Sequence, residues 1–294
     1  MSVGLSKESR VVIQGITGRE GSLHATLCME YGTNVVAGVT PGKGGQSFRN
    51  VPVYSTVTEA VEQSAANTSL IFVPPVYAGD AILESVFAGI KCIICISEGI
   101  PVHDMIRIKR IIDTYKVILI GPNCPGIIVP GVAKAGIMPG QIFKKGSIGM
   151  ISRSGTLLYE AADQIVKSGL GISAALGIGG DPVVGSDYIY WLGQFEKDPD
   201  TEAVILIGEI GGDLEERTAA FVAEKIKKPV FAFIAGRSAP QGKRMGHAGA
   251  IITGNTGTVE SKDKAFENAR IAVIKHLEQI GITVFNSLQE KRAS

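Results

Sequence analysis

Val11-Val12-Ile13-Gln14, followed by Gly15-Ile16-Thr17-Gly18-Arg19-Glu20-Gly21, is the stretch that decides the fold. Three β-branched residues in an apolar run predict a buried strand over 11–14. Three glycines then turn the chain, and the amphipathic segment 20–30 predicts a helix. A strand that leaves a tight glycine turn into a helix is the first half of a βαβ unit. The rhythm continues outward: strands are expected at 34–39, 69–73, 92–96 and 117–120, with helices at 57–64, 78–88 and 102–114. Such alternation predicts an α/β sheet of mainly parallel strands with helices on both faces.

The segment 122–146 breaks the rhythm. It holds Pro122, Pro125, Pro130 and Pro139 among many glycines, and reads as an interdomain connection with a binding role. A second alternating series follows, with strands expected at 147–151, 172–177, 203–207, 229–234 and 282–285. Its helices are expected at 155–167, 186–196, 213–226 and 259–279. The chain therefore reads as two open α/β domains. Ligands of such sheets sit beyond the carboxyl ends of the strands. The unusual loops fall there: 15–21, 40–45, 97–101, 121–126, 152–156, 208–212 and 235–250.

Composition excludes several classes. The 294 residues suffice for two domains, and 45% hydrophobic with 19% charged residues is a globular balance. A formal charge of +1 gives no basic footprint for nucleic acid or an anionic membrane. No run of about 18 apolar residues is present, so no bilayer span is expected. The first residues, Met1-Ser2-Val3-Gly4-Leu5, lack a signal-peptide core and a transit-peptide character. Cysteines stand at 28, 92, 95 and 124. Cys92 and Cys95 lie three apart on an expected strand and so point to opposite faces, against a dithiol or metal pair. No metal site is expected.

The first glycine loop is G-x-x-G-x-x-G, not the G-x-G-x-x-G of nicotinamide-binding folds. A glycine turn at a helix N-terminus still favours phosphate. Dinucleotide enzymes place a carboxylate after the second strand to bind a ribose hydroxyl. Here that strand runs into Thr40-Pro41-Gly42-Lys43-Gly44-Gly45, with one lysine and no acid. Lys43 suits a phosphorylated ribose or a diphosphate, and coenzyme A carries both. Ser97-Glu98-Gly99-Ile100-Pro101 and Gly121-Pro122-Asn123-Cys124-Pro125-Gly126 follow later strands at the same edge, where a pantetheine arm would lie.

In the second series, Ser152-Arg153-Ser154-Gly155-Thr156 opens a helix, with Ser154 as N-cap. Its free amides, hydroxyls and arginine form a candidate anion site. Glu209 follows the expected strand 203–207 within a glycine-rich run, and His247 stands in Lys243-Arg244-Met245-Gly246-His247-Ala248-Gly249. Glu209 would accept a hydrogen bond from one ring nitrogen of His247 and free the other to attack phosphorus. His24, His103 and His276 lie in ordinary helical settings. Gly177-Ile178-Gly179-Gly180-Asp181-Pro182 is a further turn to which spacing assigns no role.

These motifs together resemble the α subunits of succinyl-CoA synthetase (succinate–CoA ligase), from Gly15 to about Val284. The resemblance implies a CoA-binding Rossmann-like domain at 1–125, the Pro/Gly-rich connection at 126–146, and a flavodoxin-like domain at 147–294. It implies His247 as the phosphorylated residue and Glu209 as its partner. It implies CoA contacts at Thr17, Gly18, Arg19, Glu20, Lys43, Ile96, Ser97 and Glu98. It implies substrate or phosphate contacts at Tyr159, Ser154 and Gly155, and Asn123 is a further candidate for that role. It implies a β subunit of ATP-grasp fold holding ATP or GTP with Mg, in an αβ or α2β2 assembly, acting on a small carboxylic acid, CoA and phosphate. The expected location is the prokaryotic cytoplasm, or the mitochondrial matrix after loss of a transit peptide. One departure concerns the acid. The family reads Gly-Glu-Cys-Lys-Ile-Gly-Ile where this chain has Gly131-Val132-Ala133-Lys134-Ala135-Gly136-Ile137. The same body resembles parts of malate–CoA ligase, citryl-CoA synthetase and ATP-citrate lyase. A nicotinamide oxidoreductase and a CoA-binding module without chemistry are the remaining alternatives.

Overall fold

The computed structural model describes residues 3–240, 242–252 and 257–293. Met1 and Ser2 of the N-terminal reading, Gln241 of the loop 235–250 and Ser294 lie outside the described residues.

The first sheet is built from β1 (Val11–Gln14), β2 (Val35–Val39), β3 (Ser47–Phe48), β4 (Val51–Tyr54), β5 (Thr68–Ile71), β6 (Cys92–Cys95) and β7 (Ile118–Ile120). Helices α1 (Arg19–Glu30), α2 (Val57–Ser64), α3 (Pro75–Phe87) and α4 (Val102–Tyr115) connect them. The spatial order is β3-β4-β2-β1-β5-β6-β7. All pairings are parallel except the short β3–β4 hairpin. Apart from β3, this is the 3-2-1-4-5-6 order of the doubly wound nucleotide-binding fold. Every residue of β1, β5 and β6 is buried, which is why these strands read as continuous apolar runs rather than alternating ones.

The second sheet comprises β8 (Gly126–Val129), β9 (Ala133–Gly136), β10 (Lys145–Ser152), β11 (Ile172–Gly177), β12 (Ala203–Glu209), β13 (Val230–Ala235) and β14 (Ala272–Ile274). Its helices are α5 (Gly155–Lys167), α6 (Tyr188–Lys197), α7 (Leu214–Lys225), α8 (Val259–Asn268) and α9 (Ile280–Ala293). The order β14-β13-β12-β10-β11-β8-β9 contains the 2-1-3-4-5 flavodoxin arrangement, with an antiparallel hairpin added beyond β11.

Three expectations are corrected. Residues 126–136, expected within a connection, form the hairpin β8–β9 and extend the second sheet; only the stretch up to β10 remains irregular apart from one short 3-10 turn. The expected strand 282–285 is helical. Ile280, Val284 and Leu288 recur every four residues and bury one face of α9 against the second domain's core. The last strand is instead β14, inside the segment expected as one long helix. Arg270, with φ of 59°, ends α8 without the glycine that usually marks such a stop.

One core cluster joins the two sheets, with Ile13, Leu70 and Ile94 of the first, Ile127 and Leu176 of the second, and Trp191 of α6. Each sheet reverses its winding between two neighbouring strands: β1 and β5 in the first, β10 and β12 in the second. Ligands of open α/β sheets bind at those crevices.

Candidate active site

A cavity of about 550 Å³ opens at the β1/β5 crevice. The glycine turn after β1, the loop after β2 and Phe72 to Pro74 after β5 form its walls. Gly15 has φ of 81°, and a Cβ there would stand 2.7 Å from the Phe72 carbonyl oxygen, so only glycine lets the two strand ends meet. Gly18 is the N-cap of α1 and offers no side-chain cap, which leaves first-turn N–H groups for an anion. Lys43 Nζ donates to Thr17 Oγ1 at 3.2 Å, and Thr17 Oγ1 donates to Thr40 Oγ1 at 3.1 Å.

Of the expected CoA contacts, Thr17, Gly18 and Lys43 line this cavity. Arg19 and Glu20 stand at the exposed start of α1, 3.9 Å from each other, outside its wall. Ile96, Ser97 and Glu98 follow β6. Ser97 Oγ donates to the Val73 carbonyl at 2.5 Å, and the Ser97 carbonyl accepts from Asn123 N at 2.9 Å. This segment thus braces the rim and ties it to the 121–126 loop. The wall residues Phe72 and Tyr77 were not legible as ligand-facing, because they belong to an ordinary strand end and helix start. His24 stacks on Phe72 with ring centroids 5.4 Å apart.

The second site lies at the β10/β12 crevice. Glu209 ends β12, and Arg153 directly follows β10; both are buried, at 7% and 6% exposure. His247 Nδ1 stands 2.7 Å from Glu209 Oε2. A carboxylate only accepts, so Nδ1 carries the proton and Nε2 keeps its lone pair in the neutral ring. This bond raises the imidazole pKa above its ordinary value, against burial and the nearby Arg153 cation, with Asp181 adding to the rise. Arg153 Nε lies 3.2 Å from Glu209 Oε1, an ion pair too bent to count as a hydrogen bond. Its Nη2 donates to the Asp181 carbonyl at 3.3 Å.

The ring has a seat. A Cβ on Gly180 would stand 2.2 Å from His247 Cγ, so the imidazole rests directly on the Gly180 backbone. Gly249 N donates to the Gly180 carbonyl at 3.4 Å and fastens the histidine loop there. The turn 177–182, unassigned from spacing, is therefore the floor of the site. Asp181 accepts from Asn123 Nδ2 at 2.9 Å. Burial pushes the Asp181 carboxyl up, partly offset by that bond.

The start of α5 completes the crevice. Ser154 caps the helix by accepting from Leu157 N at 3.4 Å, and its Oγ lies 3.2 Å from Thr156 Oγ1. A Cβ on Gly155 would stand 3.3 Å from Pro125 and 3.7 Å from Tyr159 Oη, so loop 121–126 and Tyr159 both border this helix start. Burial raises the Tyr159 hydroxyl to about 12, which keeps it a proton donor at neutral pH. The cysteines are free and buried, and among the described residues no cluster of three or more His, Cys, Asp or Glu gathers as metal ligands. Among the described residues no helix is long and apolar enough to cross a membrane.

Two family models match the chain: a CoA binding domain over residues 6–99 and a CoA-ligase over 151–272. The α subunit of the ADP-forming succinate–CoA ligase of Aquifex aeolicus is 56% identical over 98% of this chain and 95% of its own length. The corresponding α subunit 2 of Archaeoglobus fulgidus is 53% identical over 94% and 96%. That of Staphylococcus aureus is 48% identical over 99% and 96%. Among solved structures, an ATP citrate lyase of Methanosaeta concilii in complex with (3S)-citryl-CoA superposes with a TM-score of 0.88 at 22% identity. It covers 98% of this chain, which spans 51% of that one. A dinucleotide-forming acetyl-coenzyme A synthetase of Ca. Korarchaeum cryptofilum superposes at 0.77 and 22%, over 93% of this chain and 59% of its own. At those identities the structures share the fold alone. The near-complete coverage at 48–56% identity and the two matched domains carry the assignment: the chain belongs to the family of succinate–CoA ligase α subunits.

Proposed function

We propose that the chain is the α subunit of a succinate–CoA ligase that interconverts succinate, CoA and a nucleoside triphosphate with succinyl-CoA, the diphosphate and phosphate. The observation that carries this reading is the 2.7 Å contact between His247 Nδ1 and Glu209 Oε2 at the β10/β12 crevice. The neutral His247 ring attacks the phosphorus of an acyl phosphate through Nε2. The N–P bond forms as the P–O bond to the acyl group breaks, and succinate leaves with the electron pair. Glu209 holds the Nδ1 proton and stabilises the positive ring that results. Discharge of the phosphohistidine to the nucleoside diphosphate reverses the same geometry.

CoA occupies the first cavity, with its phosphates toward Lys43 and the start of α1. Ser154, Gly155 and Thr156 receive the phosphate at the start of α5, and Tyr159 and Asn123 border the acid. The functional division follows the two sheets: residues 1–125 bind CoA, and 147–294 carry the histidine. The triphosphate, with Mg, belongs to a β subunit of ATP-grasp fold, in an αβ or α2β2 assembly, in the prokaryotic cytoplasm or the mitochondrial matrix. Succinate is favoured over malate or citrate by the names of the relatives at 48–56% identity. The test is turnover of the chain with its natural partner on succinate, malate and citrate, each with CoA and ATP or GTP. Succinate is expected to be turned over fastest; faster turnover of malate or citrate would reassign the acid.

A further inference from the structure

Lys262 on α8 is wholly buried, and Glu215 in the first turn of α7 is buried with it. Lys262 Nζ donates to Glu215 Oε2, to Glu216 Oε2 at 3.1 Å and to the Gly212 carbonyl at 3.2 Å. An ammonium has three protons, so every one is used. The other oxygen of Glu215, Oε1, accepts the backbone N–H of Glu209 at 3.3 Å. The fit is close, since a Cβ on Gly208 would stand 2.8 Å from that same oxygen. Glu215 thus bridges a buried cation to the peptide that carries the histidine's partner.

Stability alone is a poor reason for such a pair, because desolvation consumes most of the attraction between buried charges. Its placement is more informative. The turn 210–213 leaves β12 directly after Glu209 and enters α7, and the Lys262–Glu215 unit grips it at both ends. Gly211 N donates to the Gly257 carbonyl at 2.8 Å and pins the middle. A strand end held at these points has a fixed backbone, and so a fixed direction for the Glu209 Cα–Cβ bond. That bond sets where the Glu209 carboxylate points: one oxygen at His247 Nδ1, the other at Arg153 Nε.

We propose that Lys262 and Glu215 are positioning residues, which fix the backbone of Glu209 so that its carboxylate meets the His247 ring. This deepens the phosphohistidine reading and rests on it for its catalytic consequence. The geometric part stands on the ring's environment alone. The charged groups facing His247 are Glu209 from β12, Arg153 from the end of β10 and Asp181 from the turn after β11. None is removed by changing Lys262 or Glu215.

Two variants of the full chain test the proposal. The double variant K262M/E215M replaces the ion pair by apolar groups of similar volume, a change that buried pairs tolerate in stability. Glu215→Gln keeps a single acceptor oxygen, so it satisfies either Lys262 or the Glu209 N–H but not both. Two readouts are taken: the NMR titration of the His247 ring in the full chain, and histidine phosphorylation with the partner subunit and ATP. In both variants the ring pKa is expected to fall toward about 6.5. Phosphorylation slows at least about 10-fold with KM for ATP unchanged, since a misplaced catalytic pair loses rate rather than affinity. A folded K262M/E215M or Glu215→Gln chain with wild-type titration and rate would overturn the proposal. If wild type carries no phosphate on His247, the phosphoryl reading fails separately, and the titration still decides the positioning claim.

Discussion

Gly180→Ala places a methyl group where the imidazole now rests. Its carbon would stand 2.2 Å from His247 Cγ, 2.4 Å from Nδ1 and 2.5 Å from Cδ2. Carbon contacts settle near 3.5 Å, so the ring must retreat by about 1.3 Å. Glu209 cannot follow it. The strand β12 is paired on both sides, and Arg153 Nε faces the other carboxylate oxygen at 3.2 Å. The 2.7 Å contact therefore opens beyond hydrogen-bond range. Losing a charge-assisted bond of this kind costs about 1.5–3 kcal/mol, and a displacement of about 1 Å in a reacting group costs about 100-fold in rate. Gly180 does not have a left-handed backbone, so alanine adds no strain of its own. The expected result is about 100-fold slower formation of acid-labile phosphate, read by rapid quench with the partner subunit and ATP. Thermal unfolding should move by only a few degrees. Wild-type phosphorylation in Gly180→Ala would show that the ring does not use this seat and would refute the geometry of the site.

Four further outcomes follow from the same contacts. Glu209→Gln leaves the Arg153 cation buried without its counter-charge and should cost about 3 kcal/mol in urea unfolding; it should also move the phosphorylation pH profile to lower pH, and an unshifted profile would contradict the role given to Glu209. The folded-state pKa of His247 is raised, so its stabilising contribution is full below about pH 6.5 and is lost as pH rises through the raised value. The stability gap between wild type and His247→Asn should therefore narrow as pH rises from about 6.5 through the raised value, and a widening gap would reverse the sign argued here. Lys43→Ala removes the cation at the first cavity and should weaken CoA binding about 10-fold in calorimetry with an unchanged melting temperature; unchanged affinity would place the CoA phosphates elsewhere. Burial raises the thiols of Cys92 and Cys95 to about 12 and also lifts those of Cys28 and Cys124. A thiol reagent at about pH 8 should label all four only after unfolding, and rapid labelling of the native chain would contradict their burial.

The strands were legible where burial was two-sided and the turn chemistry explicit. Val11 to Gln14 and Cys92 to Cys95 needed nothing beyond their apolar runs, and α2 and α5 begin at the Thr56 and Ser154 caps. The hairpin β8–β9 escaped because its prolines and glycines carry the signature of a connection, while its pairing partner, β11, lies some forty residues on. The run Ile282-Thr283-Val284-Phe285 has strand propensity, but Gly281 packs α9 closely on the Gln164 backbone of α5, and tertiary burial overrides the local preference.

The site was legible in the same uneven way. His247 and Glu209 stood out because glycines frame them. Arg153 read as an open anion contact, whereas the structure aims its Nε at Glu209. Gly180, Asp181, Glu215 and Lys262 were silent, since a floor, a carboxylate in a turn and a buried ion pair acquire meaning only when distant segments meet. The winding reversals of the two sheets explain why they meet: β10 and β12 are neighbours in space but separated in sequence by α5, β11 and α6.

The most direct test of the account is the location of the phosphate. The chain, with its partner subunit and ATP, is quenched and the acid-labile phosphate is mapped by mass spectrometry under alkaline conditions. The account predicts one phosphohistidine at His247, absent in His247→Asn and discharged by adding succinate and CoA. Phosphate on another residue, or equal labelling of His247→Asn, would contradict it.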